Sequence, residues 1–229
     1  MSILCTGHRG YIGSLLWQYL DSDVVGIDLR EGKNLLTCEL PRGIDIIYHL
    51  AAQSFVESSW CDPVHDMDNV RMTARLVKEY PKAQIIYANS AAAKPPIMSP
   101  YGFSKWASGE YIKTFHKSYI ILTFPNVYGR NNKSVVDKFK GKDKVTVYGD
   151  GKQLRDYVHV DDIVYGLLKA VGWQIGEYEM GSGIATSVLD LAKGKKIIFA
   201  PSRKEARESV LINNTPNWFP TIKVLEYLK

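Results

Sequence analysis

Tyr101 and Lys105 stand four residues apart in PYGFSK, and Ser90 ends the run QIIYANS eleven residues before the tyrosine. In a helix, positions i and i+4 share one face, so the phenol and the amine lie side by side. An ammonium beside a phenol favours the phenolate, lowering a reference pKa of about 10 toward neutrality. A phenolate held there can take a proton from a hydroxyl group, and the Ser90 hydroxyl can bond the reacting oxygen and help the transfer. Taken alone, Y-x-x-x-K is a common spacing on helix surfaces, and a serine after a strand commonly caps a turn. The neighbouring segments decide between these readings.

Upstream, Ile3–Thr6 runs straight into TGHRGYIG, with glycines at 7, 10 and 13. A glycine-rich turn between strand and helix lets backbone N–H groups approach a pyrophosphate, and the following helix N-terminus adds partial positive charge. This G-x-x-G-x-x-G is a variant of the G-x-G-x-x-G spacing and is weak by itself. Its context strengthens it. Asp28 closes VVGID, 21 residues past Gly7, where a carboxylate accepts hydrogen bonds from adenosine ribose hydroxyls. The same charge repels a 2′-phosphate, so Asp28 favours NAD over NADP.

Positioning such groups needs a sheet edge, and the pattern supplies one. Ile3–Thr6, Val24–Ile27, Ile44–Leu50, Gln84–Ala88 and Tyr119–Thr123 read as strands, several of them apolar on both faces. Continuous apolar strands are what a parallel sheet covered by helices on both sides demands. Between them, Tyr11–Leu20, Asp68–Tyr80 and Tyr101–His116 show helical spacing. The alternation predicts a doubly wound α/β sheet, with Ser90 at its carboxyl edge, where open sheets bind ligands. After Thr123 the pattern loosens: Val145–Tyr148 and Tyr178–Met180 read as strands, Asp161–Val171 and Ser187–Ala192 as helices. A boundary is expected within Phe124–Arg130, dividing a core at 1–125 from a smaller region at 126–229 that returns some segments to the core.

The bulk numbers narrow the partners. The 229 residues carry 29 basic and 24 acidic side chains, a formal charge of +5. That excess suits an anionic small molecule. Its basic stretches, Lys133–Lys144 and Lys193–Arg207, are interrupted by acids and lack the aromatic interleaving of a nucleic-acid platform, so nucleic acid is not expected. No run is long and apolar enough to suggest a membrane span, and MSILCTG has no signal-peptide features. Cys5, Cys38 and Cys61 lack metal spacing and read as reduced thiols of a cytoplasmic protein. His49 and His159 likewise have no metal-like grouping and are expected to be packed or hydrogen-bonded, and no metal is expected.

These blocks, in this order, resemble the extended short-chain dehydrogenase/reductases, specifically the nucleotide-sugar epimerases and dehydratases of the UDP-glucose 4-epimerase type. TGHRGYIG, HLAAQSFVESSWCDP (49–63), DNVRMTARLV (68–77), YANSAA, YGFSK, PNVYGR, YGDGKQLRDYVHVDDIV (148–164) and YEMGSGIATSVLDLA (178–192) carry the likeness, which spans nearly the whole chain. The resemblance implies a Rossmann-type core with a small C-terminal substrate-binding region, and NAD as cofactor. Gly7, Arg9, Gly10, Tyr11, Ile12, Gly13, Asp28, Leu50, Ala51 and Ala52 would line the cofactor, with Tyr101 and Lys105 at its nicotinamide ribose. Ser90, Tyr101 and Lys105 would be catalytic. Ser90, Asn126, Arg155 and Arg207 would hold a nucleotide-diphosphate sugar, the arginines through its diphosphate. Asp161 and Asp162 are expected to cap the helix that follows them.

The implied reaction is an NAD-dependent epimerisation through a keto-sugar intermediate. Dehydratases of this family place an acidic pair directly after the serine or threonine, where this chain has Ala91, Ala92 and Ala93, so a dehydratase is not expected. The wording GHRG also resembles NADP-dependent reductases of nucleotide 4-keto-6-deoxy sugars, with Arg9 and Arg30 near a 2′-phosphate, but Asp28 opposes that alternative. A non-catalytic dinucleotide sensor on the same fold is the rival of another class, disfavoured by the retention of Ser90, Tyr101 and Lys105 together. The family commonly pairs the helices at 68–80 and 101–116 with their copies. A homodimer is therefore expected, with Val70, Leu76, Val77, Trp106, Tyr111, Ile112 and Phe115 on those helices. The stretches after Asp28, between Ser90 and Tyr101, after Arg130 and near the C-terminus are shorter than in most members, and these usually cover the sugar.

Overall fold

The first apolar runs form strands β1 (Ile3–Thr6) and β2 (Val24–Ile27) in the computed structural model, which describes residues 1–20, 23–130, 134–203 and 208–229. Helix α1 (Tyr11–Leu16) lies between them and passes into a 3-10 turn at Trp17–Tyr19. Then come β3 (Ile46–His49), the short α2 (Val56–Ser59), α3 (Pro63–Glu79), β4 (Gln84–Ser90), α4 (Pro100–Phe115) and β5 (Tyr119–Phe124). They are followed by β6 (Asn126–Tyr128), α5 (Val135–Phe139), β7 (Lys144–Tyr148), β8 (Leu154–Arg155), β9 (Tyr157–His159), α6 (Val160–Ala170) and β10 (Gly176–Glu179). The chain closes with β11 (Thr186–Ser187), α7 (Val188–Leu191), β12 (Lys196–Ala200), β13 (Glu208–Ser209) and α8 (Val224–Tyr227).

Two compact units result, 1–123 with 167–178, and 124–166 with 179–229. The six-stranded sheet runs β10-β5-β4-β3-β1-β2. β1 pairs in parallel with both β2 and β3, and β3 with β4, so Ile3 registers with Val24 on one side and Ile46 on the other. Leu4, Ile47, Leu76, Ile85, Ile112 and Ile121 are sealed in its core. Leu76, Val77 and Ile112, named above on the helices expected to pair, are spent on the subunit's own packing. Trp106 and Phe115 are exposed.

Helix α3 starts at Pro63 rather than at Asp68. Asp62 accepts the His65 N–H at 3.1 Å, and Pro63 takes the first helical position, where a missing N–H costs nothing. The same device starts α4: Ser99 accepts the Gly102 N–H at 3.0 Å and Pro100 follows it.

The second unit is built from small sheets, β11-β8-β13, β12-β7 and β6-β9, around Tyr128, Val136, Phe139, Val147, Tyr157 and Leu191. Asp161 and Asp162 sit inside the first turn of α6 rather than at its cap. Asp162 instead takes the Thr221 hydroxyl at 2.8 Å and the Thr221 and Ile222 N–H groups at 3.1 Å, fastening the C-terminal segment. Trp218, 1% exposed, donates its indole N–H to the Asp162 carbonyl at 2.8 Å. Trp218→Ala is expected to cost about 3–5 kcal/mol through the lost packing and the cavity left behind. A urea titration followed by circular dichroism measures it, and Trp218→Phe, which keeps most of the ring volume, should lose clearly less.

Candidate active site

Gly7 follows β1 in the left-handed region, at φ +76°, and its N–H bonds the Ile27 carbonyl at 2.8 Å. A Cβ there would lie 2.6 Å from Ala51 N, and one at Gly13 would lie 2.2 Å from the Gly7 carbonyl oxygen. Only bare backbone fits this approach of strand, turn and α1, so both glycines are demanded by contact, and Gly7 by its conformation as well. Gly10 precedes α1 without a side-chain cap, which leaves the backbone N–H groups of that turn uncovered by any capping side chain. Leu50 and Ala51 lie against the turn: their N–H groups reach the Thr6 carbonyl at 3.1 Å and the Thr6 hydroxyl at 3.3 Å. Asp28, nearly buried, accepts from the backbone N–H of Arg9 at 2.8 Å and of Arg30 at 2.9 Å. Arg9, Tyr11, Ile12 and Ala52 belong to the same two segments. The bare cradle and the anchored carboxylate fit a dinucleotide pyrophosphate and ribose.

Further along the same sheet edge, Ser90 ends β4 and accepts the Ala92 N–H at 3.2 Å, starting a 3-10 turn at Ala91–Ala93. A Cβ on Gly102 would lie 2.2 Å from the Ala92 carbonyl oxygen, so α4 begins in close contact with that turn. This contact, with the Ser99 cap, sets the position of Tyr101. The Tyr101 phenol is 9% exposed and is hydrogen-bonded to Ser90. Lys105, one turn on and also buried, places its Nζ 4.1 Å from the centre of the Tyr87 ring.

The electrostatics correct the expectation for the pair. Burial pushes the Tyr101 phenol up; the Ser90 hydrogen bond pulls it down, and the Asp66 carboxylate pushes it up again. Lys105 is not among the groups that shift it. Desolvation outweighs a charge that faces another ring, and it draws the Lys105 amine down to about 7.

Asn69 and Thr73, which shape this region, escaped the sequence reading, whereas His49 is hydrogen-bonded as expected. Asn69 on α3 donates to Ser104 Oγ at 3.0 Å and to the Gln53 carbonyl at 3.1 Å, while accepting the Gln53 N–H at 2.8 Å. An asparagine inside a helical run, where its propensity is poor, was the available signal. His49 lies between Thr6 Oγ1 at 2.9 Å and Thr73 Oγ1 at 3.0 Å, and Thr73 itself donates to the Asn69 carbonyl. Thr73 can then only accept from His49, which fixes the proton on Nε2 of a neutral ring. Burial first, then the Lys105 charge, holds that imidazole down to about 3.

In the second unit, Asn126 opens β6 and donates from its side chain to the Asp156 carbonyl at 3.2 Å. Arg155, in β8, is 9% exposed and donates to the Leu154 carbonyl at 2.8 Å. Arg207 lies outside the described residues. Thus the glycine turn, Asp28, Leu50–Ala52, Ser90, Tyr101 and Lys105 gather in the first unit, while Asn126 and Arg155 belong to the second.

An α/β fold with a bare glycine turn, an anchored acid after β2 and a Ser–Tyr–Lys set at the sheet edge defines a dinucleotide-dependent class. The family model for the NAD dependent epimerase/dehydratase family matches residues 3–181, and the chain belongs to that family. A Methanocaldococcus jannaschii protein with a provisional UDP-glucose 4-epimerase name is 30% identical, over 82% of this chain and 70% of its own. The UDP-glucose 4-epimerase of Mycolicibacterium smegmatis is 29% identical, over 83% of this chain and 80% of its own. Among solved structures, MoeE5 in complex with UDP-glucose and NAD superposes with a TM-score of 0.87 at 25% identity, covering all of this chain and 96% of that one.

One group near the tyrosine breaks the rule that buried polar atoms are paired. Asp66 is 1% exposed, yet neither carboxylate oxygen has a hydrogen-bond partner. It lies one turn before Asn69 on α3. Burial raises its pKa, with neighbouring His65 lowering it and Asp62 raising it. A carboxyl with a raised folded-state pKa leaves stability intact below its ordinary pKa and costs stability as pH rises through the folded value. Asp66→Asn, which keeps the shape and removes the buried charge, should therefore be more stable than wild type at pH 7. The gain should shrink toward pH 4. Urea titrations at the two pH values test this, and an equal gain at both would remove ionisation as the cause.

Proposed function

We propose that this chain is an NAD-dependent epimerase of a nucleotide-diphosphate sugar, acting through a keto-sugar intermediate. The observation that carries the reading is the Ser90–Tyr101 hydrogen bond at the carboxyl edge of the sheet, with Lys105 one helical turn on, in the unit that holds the glycine turn. Gly7, Gly10, Gly13 and the Leu50–Ala52 segment would hold the pyrophosphate side of NAD and Asp28 its adenosine ribose. Lys105 would meet the nicotinamide ribose. Bound NAD supplies a hydride acceptor and donor.

The chain's own task is the proton. Tyr101 takes it from the sugar hydroxyl and returns it, and Ser90 bonds the phenol oxygen, favouring the charged form against burial. Ala91–Ala93 place only methyl groups after Ser90, so that turn has no carboxyl group for eliminating water from the sugar. That supports an epimerase over a dehydratase, as do the 4-epimerase relatives. Asn126, Arg155 and Arg207 are the residues assigned to the sugar nucleotide, whose base a panel of UDP-, GDP- and dTDP-sugars would identify.

Tyr101→Phe should lower turnover by about 10²–10⁴ fold, the usual worth of a placed acid–base group, while calorimetry finds NAD affinity unchanged. Undiminished turnover would remove Tyr101 from the mechanism.

We assign the working form as a homodimer through the helices at 68–80 and 101–116. Phe103, Trp106 and Phe115 on α4 and Met67 on α3 support this, because each leaves more than a third of its surface exposed. Sedimentation velocity is expected to give twice the chain mass, and a monomer across the working concentration range would refute the pairing.

A further inference from the structure

The rim of the dinucleotide turn carries two arginines and one acid whose arrangement bears on which dinucleotide is accepted. Asp28 points both carboxylate oxygens at backbone N–H groups, Oδ2 to Arg9 and Oδ1 to Arg30, so the acid and the two arginines form one local cluster. The guanidiniums belonging to those residues are also engaged. Arg9 Nε donates to Glu31 Oε1 at 2.5 Å, and Arg30 donates to the Arg9 carbonyl. The second oxygen of Glu31 faces His8 Nε2 at 3.3 Å. His8 itself is fixed: its ring packs on Trp17 with centroids 4.6 Å apart and fills the space over Gly26, where a Cβ would lie 2.5 Å from Cε1. Glu31 is thus held from a buried ring on one side and holds an exposed arginine on the other. The Arg9 bond also keeps its carboxyl below the usual carboxylate range.

We propose that Glu31 sets the choice between NAD and NADP, by engaging the Arg9 guanidinium so that it is not available to a 2′-phosphate. The inference rests on the reading that a dinucleotide binds at this turn. A 2′-phosphate is a dianion whose recognition calls for a guanidinium fork, and this chain has Arg9 and Arg30 beside the ribose acid. Asp28 alone repels that phosphate but does not disarm the arginines. Glu31 adds a second negative charge and also takes up the Arg9 Nε–H. With Glu31 neutral, Arg9 is free to turn to a phosphate, and only Asp28 still opposes it. The pair is exposed enough that its loss should leave the fold intact, since surface ion pairs contribute little to stability.

Isothermal titration of the full chain with NAD and with NADP tests this without any turnover assay. Wild type should bind NAD more tightly than NADP. Glu31→Gln should bind NADP about tenfold more tightly than wild type, the worth of one charge-assisted bond gained, with NAD affinity changed less than about twofold. Adding Arg9→Ala to Glu31→Gln should cancel the gain, because the arginine is the group released. An unchanged NADP affinity in Glu31→Gln, or a gain that survives loss of Arg9, would overturn the role of Glu31 while leaving NAD binding in place. A wild type that binds neither nucleotide would instead overturn the dinucleotide reading itself, and this inference with it.

Discussion

A phenol and an amine buried one helical turn apart set the terms for the rest of the first unit. Removing either group from water disfavours its charged form, and the two shifts run in opposite directions: the Tyr101 phenol up, the Lys105 amine down to about 7. Both shifts run toward the uncharged forms, in which burial is least costly. What surrounds the pair must then supply hydrogen bonds and a polarisable surface rather than counter-charge. Ser90 bonds the phenol and the Tyr87 ring faces the amine.

The same constraint explains why the support behind the pair is a chain of neutral groups. From the glycine turn, the Ala51 N–H meets Thr6 Oγ1, and Thr6 meets His49 Nδ1. His49 Nε2 reaches Thr73, Thr73 reaches the Asn69 carbonyl, and the Asn69 amide reaches Ser104. Ser104 finally donates to the carbonyl of Tyr101 at 2.9 Å. The relay ties β1, β3, α3 and α4 together by side chains that cost nothing in unpaired charge, and it runs from the segment beside the turn to the backbone of the tyrosine. Such a fully satisfied network favours one arrangement over near alternatives. The glycines at 7 and 13 set one end of it by letting backbones touch; Ser99 and Pro100 set the other.

Much of this was legible from residue order. Apolar runs such as Ile3–Thr6 and Val24–Ile27 have no polar face, so only a covered parallel sheet suits them, and their ends were found to the residue. Tyr101 and Lys105 lie one turn apart on α4, as their spacing requires, because helical spacing is a local property. The start of α3 was not, because its signal was a cap rather than a period: Asp62 with Pro63 reads as a turn until the helix behind it is known. The orientation of Lys105 was beyond reach for another reason. The ring it faces, Tyr87, comes from a strand eighteen residues earlier, and no spacing rule links the two. The short strands β8, β11 and β13, of two residues each, carry no period at all.

Buried carboxylates separate the two units by purpose. Asp156 in the second unit is fully buried, and Ser182 satisfies it through both backbone and hydroxyl, with further support from the Gly183 and Leu211 backbone. Asp162 is used in the same way, by Thr221 and Ile222. Each is an acceptor around which chain is fastened, which accounts for a buried charge without any further role. Asp66 in the first unit is as deeply buried and has no such donors. Lys105, likewise, faces an aromatic ring and is drawn toward neutrality by burial alone. Proteins violate their own pairing rules chiefly where function demands it. Asp66 lies on the first turn of α3 and pushes the Tyr101 phenol up, and other buried side-chain atoms without a hydrogen-bond partner include His8 Nδ1 at the glycine turn and Asn89 Oδ1 in β4, next to Ser90.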